Sequence, residues 1–87
     1  MKAEELRQAL DQLGTTESEE DDGRFVAHVV SPQFEGMQGA ERQFQVWERV
    51  RGQFGLRAGV DIEFIFTDSP SEWERLNRGE GLDELQD

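Results

Sequence analysis

One side chain in this sequence, His28, offers an imidazole, and none offers a thiol. Cysteine nucleophiles, thiolate metal ligation and disulfide bridging by this chain are thereby excluded. His28 lies in the apolar run Phe25–Val30 with no second histidine to converge on it, so it reads first as a surface or half-buried structural residue and only second as a metal ligand. A second constellation is acidic: Glu17, Glu19, Glu20, Asp21 and Asp22 place five carboxylates in six positions. They lack the central glycine and terminal glutamate of a calcium loop, and so read as a solvated segment or as a surface for a basic partner. A third is Gly36-Met37-Gln38-Gly39, a glycine-x-x-glycine turn ahead of a helical pattern, followed by Arg42, Arg49, Arg51 and Arg57. Such a turn can clamp a phosphate backbone against a helix N-terminus. Met37 and Gln38 put no cation between the glycines, however, and a structural turn is the first reading. Trp47 shares a helical stripe with Phe44 and Val50 and reads as core, while Trp73 follows a helix cap and reads as a seal or a partner contact. No Ser-His-Asp set, paired carboxylates in a cleft, or phosphate-binding glycine fingerprint is present, so the chain is not expected to be an enzyme.

The elements that must position these groups have little material to work with. Eighty-seven residues with 34% hydrophobic and 33% charged content suffice for one small core, expected over residues 1–78, with an acidic tail at 79–87 expected to fray. The formal charge of −11 argues against capture by nucleic acid or an anionic membrane through bulk charge. No apolar run approaches membrane-spanning length, and the N-terminal MKAEELRQAL is charged where a secretory leader would be apolar. A cytoplasmic monomer without membrane association is the expectation.

Leu6, Ala9, Leu10 and Leu13 recur three or four apart and predict a helix from Lys2 to Leu13, stopped at Gly14. Thr15–Gly23, with its carboxylates, predicts a solvated loop, with an optional ragged edge strand at its start. Phe25–Val30 predicts the central strand, and Ser31–Gly39 a structured loop. Ala40, Phe44, Trp47, Val50 and Phe54 predict the main amphipathic helix, over 40–54. Val60, Ile62, Phe64 and Phe66 alternate with polar residues and predict a strand packing that face, with Ile65 blurring the pattern. Ser69-Pro70-Ser71-Glu72 predicts a capping box and a short helix through Trp73 and Leu76. The sum is an α+β fold, a small two-layer αββαβα-type domain, with a two- or three-stranded mixed sheet and helices on one face. Its core candidates are Leu6, Leu10, Phe25, Val29, Phe34, Phe44, Trp47, Val50, Phe64 and Phe66.

The stretch FVAHVVSPQFEGMQGAERQFQVWERV at 25–50, followed by VDIEFIFTDSPSEW at 60–73, resembles the BolA family. The likeness rests on the strand ending Val29-Val30-Ser31, the loop Phe34-Glu35-Gly36-Met37, Arg42 ahead of Val46-Trp47, and Thr67-Asp68-Ser69-Pro70 with Trp73. It implies a fold like a class II KH domain and a non-enzymatic adaptor acting in stress response. The implied partner is a monothiol glutaredoxin, held around a shared [2Fe–2S] cluster; some members are described as DNA-binding regulators. The resemblance places a histidine, the main cluster ligand, where this chain has Gln43. A carboxamide is a poor iron ligand, so no intrinsic cofactor is expected, nor cluster ligation in the family manner. The expected contact surface comprises Phe34, Gly36, Met37, Gln38, Gly39, Arg42, Gln43 and Arg49, with Arg42 and Gln43 facing the partner. The partner is a glutaredoxin-like protein or, alternatively, nucleic acid bound as by a KH-like transcription regulator.

Overall fold

The computed structural model describes residues 1–77; the expectations for the tail at 79–87, and for residue 78 as the end of the domain, lie outside the described residues. In chain order the elements are α1 (Ala3–Asp11), β1 (Thr15–Asp21), β2 (Arg24–Val30), a 3₁₀ turn (Pro32–Phe34), α2 (Gly39–Phe54), a helical turn α3 (Ala58–Asp61), β3 (Ile62–Asp68) and α4 (Pro70–Asn77). The strands form one mixed sheet in the order β1-β2-β3, with β1 antiparallel and β3 parallel to β2. A parallel pair needs a crossover, and α2 supplies it.

Helix α1 buries Leu6, Ala9 and Leu10 against the sheet. The chain leaves it through Gly14, which passes so close to β2 that a Cβ there would overlap the Val30 carbonyl oxygen and lie 2.8 Å from the Ser31 Cα. Ser31 Oγ donates to the Leu13 carbonyl at 2.7 Å, fastening this crossing point from the other side.

Thr15–Asp21 corrects the expectation of a loop. It is a full edge strand, paired with β2 from Thr15↔Val30 to Asp21↔Arg24. Asp22 and Gly23 both take positive φ, 56° and 79°, giving the two-residue turn whose twist matches an antiparallel hairpin. The carboxylates do not prevent pairing, because alternation sends Thr16 and Ser18 inward opposite Val29 and Ala27 while Glu17 and Glu19 point away. Charged side chains on an edge strand also discourage pairing with other chains.

Strand β3 brings the second correction. Val60 belongs to the helical turn α3 and is 72% exposed. The ladder with β2 runs Phe25↔Ile62 and then Val26↔Phe64, so Glu63 is an extra residue at a bulge. One additional residue reverses the phase of the strand. Ile62 and Ile65 are buried, whereas Phe64 and Phe66, expected in the core, are 45% and 53% exposed on the far face.

Helix α2 is likewise rotated from the expected stripe. Val46 and Val50 are fully buried, Trp47 and Phe54 pack at the margin, and Phe44 is 61% exposed. Helix α4 begins with the expected capping box: Ser69 N–H donates to Glu72 Oε1 at 2.8 Å and Glu72 N–H donates to Ser69 Oγ at 3.3 Å. Helices α1 and α2 cover one face of the sheet, and α4 lies at the end of β3. Trp73 of α4 meets His28 edge to face, and His28 points away from the core lined by Phe25, Ala27 and Val29.

Candidate functional site

The loop between β2 and α2 is held from within. Ser31 Oγ accepts the Gln33 N–H, starting the 3₁₀ turn that drives Phe34 fully into the core. Gly36 then reverses the chain at φ 73°, a conformation glycine takes without steric cost, and Met37 packs half-buried against the core. Gln38 and Gly39 are exposed, Gln38 standing before the helix without a side-chain capping bond and Gly39 opening α2.

Arg42, expected to face a partner, points inward instead. Its side chain is 11% exposed. Nε donates to the Met37 carbonyl at 2.9 Å, and Nη2 to the Phe34 carbonyl at 2.8 Å, with the guanidinium 5.7 Å over the Phe34 ring. Nη1 reaches Glu72 Oε1 at 2.7 Å, and Nη2 reaches Glu72 Oε2 at 3.3 Å. One planar fork thus joins the loop, α2 and α4. The hydrogen bond from Arg42, with that from the Ser69 N–H, holds the Glu72 carboxyl down at about 2. Glu35 is also lowered, by the Ser71 hydroxyl that donates to it at 2.7 Å, which adds a second link between the loop and α4.

Gln43 is inward as well. Its Nε2 donates to the Ile65 carbonyl of the edge strand at 2.8 Å, and its Oε1 accepts the Trp47 indole N–H at 3.1 Å. With a partner at each end the amide sits half-buried beside the buried Val46 and Val50, and Phe44 lies outside. Arg49, two turns beyond Arg42, donates from Nε to the Ala9 carbonyl at 3.2 Å and ties α2 to α1 rather than to the loop. The eight expected contact residues therefore divide. Gly36, Gln38 and Gly39 form the outer surface, with exposed Glu35 and Glu41 beside them, while Phe34, Arg42 and Gln43 are its internal supports, Met37 is half-buried and Arg49 lies elsewhere.

His28 is half-buried on the face of the sheet turned away from α1. Nε2 donates to Asp68 Oδ2 at 2.6 Å, Trp73 stacks edge to face at 4.5 Å, and the side chain is 20% exposed. Neither Asp68 nor Glu72 was foreseen as a partner of these residues. Glu72 had a visible local role as a cap, but its tie to Arg42 crosses 30 positions and leaves no local signature.

No family model matches the sequence, and no curated protein sequence does. Solved structures match along nearly the whole chain. A BolA protein homologue from Coxiella burnetii superimposes with a TM-score of 0.60 at 25% identity, covering 86% of this chain and 99% of its own. BolA1 from Arabidopsis thaliana gives 0.61 at 23% identity, covering 80% and 93%. A Bol-like protein from Babesia bovis gives 0.62 at 21%, covering 88% and 94%. The chain has the BolA fold. Within it, the residues present do not fit an iron–sulfur cluster held from position 43. The Gln43 amide is engaged at both ends, and the one imidazole stands on the opposite side of the sheet, bonded to Asp68. Of the β1 carboxylates, Glu17, Glu19 and Asp21 share one face of the strand and Glu20 lies on the other. Among the described residues no helix is long and apolar enough to cross a membrane.

Proposed function

We propose that this BolA-fold chain is a non-enzymatic, cytoplasmic adaptor that meets a protein partner with the outer surface of the Phe34–Gly39 loop and the first turn of α2. The observation that carries this reading is the Arg42 clamp. By bonding to two loop carbonyls and to Glu72, it fixes a loop and first helical turn that present Glu35, Gly36, Gln38, Gly39, Ala40 and Glu41 outward. A loop ordered before binding loses little entropy on contact. Its outer groups are neutral or acidic, which suits a protein surface better than a phosphate backbone. The nucleic-acid reading would need a cation beside the glycines, and Arg42 is turned inward while Arg49 lies two turns away. The partner class implied by the family resemblance is a monothiol glutaredoxin, met by this chain without a ligand from position 43.

Isothermal titration of the full chain against a monothiol glutaredoxin, with visible absorbance of the reconstituted mixture, tests this. Micromolar binding that is weakened about tenfold by Gln38→Lys with Glu41→Lys is expected. Gln43→His is expected to add nitrogen coordination to any bridged cluster. A cluster signal from the unaltered chain that vanishes with His28→Ala would overturn the ligand reading, and absence of any complex would overturn the partner. Salt-sensitive binding of single-stranded oligonucleotides, lost with Gly39→Asp, would establish the rival.

A further inference from the structure

The face of the sheet turned away from α1 and α2 has a use that the loop does not account for. The register places Glu17, Glu19 and Asp21 of β1 on this face, followed by Arg24, opposite Asp21, and Val26 and His28 of β2, and then Phe64 and Phe66 of β3. Phe64 and Phe66 pack edge to face at 4.6 Å and remain about half exposed, at 45% and 53%. Two hollows open here and share His28. One, of about 190 Å³, is lined by Glu17, Glu19 and Val26 among others; the second, of about 320 Å³, is lined by Phe66, Asp68, Trp73 and Leu76. Together they make a trough across the strands, acidic at the β1 end and apolar at the α4 end. The His28–Asp68 hydrogen bond and the Trp73 ring give it a firm floor.

Charge selects the occupant. A second copy of the chain would bring another net −11 and another row of carboxylates against the first. A nucleic-acid strand could stack bases on Phe64 and Phe66, yet its phosphates would run past Glu17 and Glu19. A basic and apolar segment of another protein meets both ends favourably. We propose that this trough docks a short protein segment that puts a bulky apolar side chain against Phe66, Trp73 and Leu76 and a lysine or arginine beside Glu17 and Glu19. Strands stand about 4.8 Å apart, so the two groups of the ligand must be roughly 10 Å from each other, about three residues of extended chain. Apolar contact supplies the affinity and the carboxylates supply orientation and partner choice.

The test is selection of a random-peptide phage library on the full chain, followed by synthesis of enriched peptides and titration by fluorescence anisotropy. The expected consensus pairs Lys or Arg with Trp, Phe or Leu at that spacing. Affinity should fall about tenfold with Phe66→Ser, and by a similar factor with Glu17→Lys and Glu19→Lys together, and it should weaken with salt. Phe44→Ser, on the covered side of the sheet, and Gln38→Lys in the loop should leave it unchanged. The altered positions are exposed, and circular dichroism checks that the fold is kept; should Phe66→Ser unfold the chain, the glutamate pair still decides the matter. No enrichment, an acidic consensus, or binding indifferent to both sets of variants would overturn the proposal. So would a dimer in light scattering that Phe66→Ser dissolves, or tighter binding of oligothymidylate lost with Phe66→Ser. Loss of peptide binding with the Gln38 variant would assign the peptides to the loop instead.

Discussion

The two faces of the sheet are built from the same alternating strands, yet they have been finished differently. On the covered face, β2 and β3 supply Phe25, Ala27, Val29, Ile62 and Ile65, all nearly inaccessible beneath α1 and α2. On the far face they supply Val26, His28, Phe64 and Phe66, with larger aromatic surface and, among the described residues, Trp73 and Leu76 of α4 beside it. The difference teaches that ring size and hydrophobicity do not decide which residues form a core. The bulge at Glu63 decides, by choosing the phase of β3. The loop after β2 belongs with the covered face, because Arg42 bonds it to α2 and α4 from inside.

The sharpest way to break the comparison is to shave each face by one side chain. Ile65→Ala should cost about 3 kcal/mol in urea denaturation, within the range for a fully buried aliphatic residue. If the strand phase were as its plain alternation suggests, that loss would appear at Phe66 instead. Arg42→Ala comes next, at about 2 kcal/mol, because it removes the guanidinium hydrogen bonds to the Met37 and Phe34 carbonyls and to Glu72 that join the loop to α4. Its amide protons in the loop should exchange faster, while those of β1 and β2 should not. A smaller effect appears with acid. Glu72 is held at about 2 against an ordinary value of 4.5, so the stability it contributes is present above pH 4.5 and is lost as the pH falls toward 2. Glu35 shifts in the same direction. Urea midpoints measured down that range should decline less steeply for Glu72→Gln than for the unaltered chain. Phe66→Ala should have the smallest effect, under about 1 kcal/mol, in keeping with an exposed ring. A large loss there would mean that the far face is a structural surface and not a free one.

Most of the elements were legible because their signals are local. The stripe Leu6, Ala9, Leu10 gave α1, and Ser69-Pro70-Ser71-Glu72 gave the capped start of α4. The strand–strand order after α1 was legible, but carboxylate density left the first strand only as a ragged option, although the Asp22-Gly23 pair suits the two left-handed residues of a full hairpin. Phe44 was misplaced because apolar periodicity cannot rank a phenylalanine below a glutamine. Gln43 turns inward, half-buried, because Ile65 and Trp47 provide one acceptor and one donor at the right places. Of the candidate site, the loop and its glycine turn were legible, while the inward direction of Arg42 was not.

By itself the sequence determined what depends on near neighbours: helix stripes, caps, the glycine turns, the absence of thiol chemistry and the acidic charge. Tertiary structure decided the rest. The Arg42–Glu72 pair spans 30 residues and the His28–Asp68 pair spans 40. Which side chains meet at such separations is set only when β3 pairs with β2 around one extra residue and α4 is carried across the end of the sheet. A one-residue change of phase exchanges the faces of a strand without altering any local preference, so it is visible only once the strands have paired.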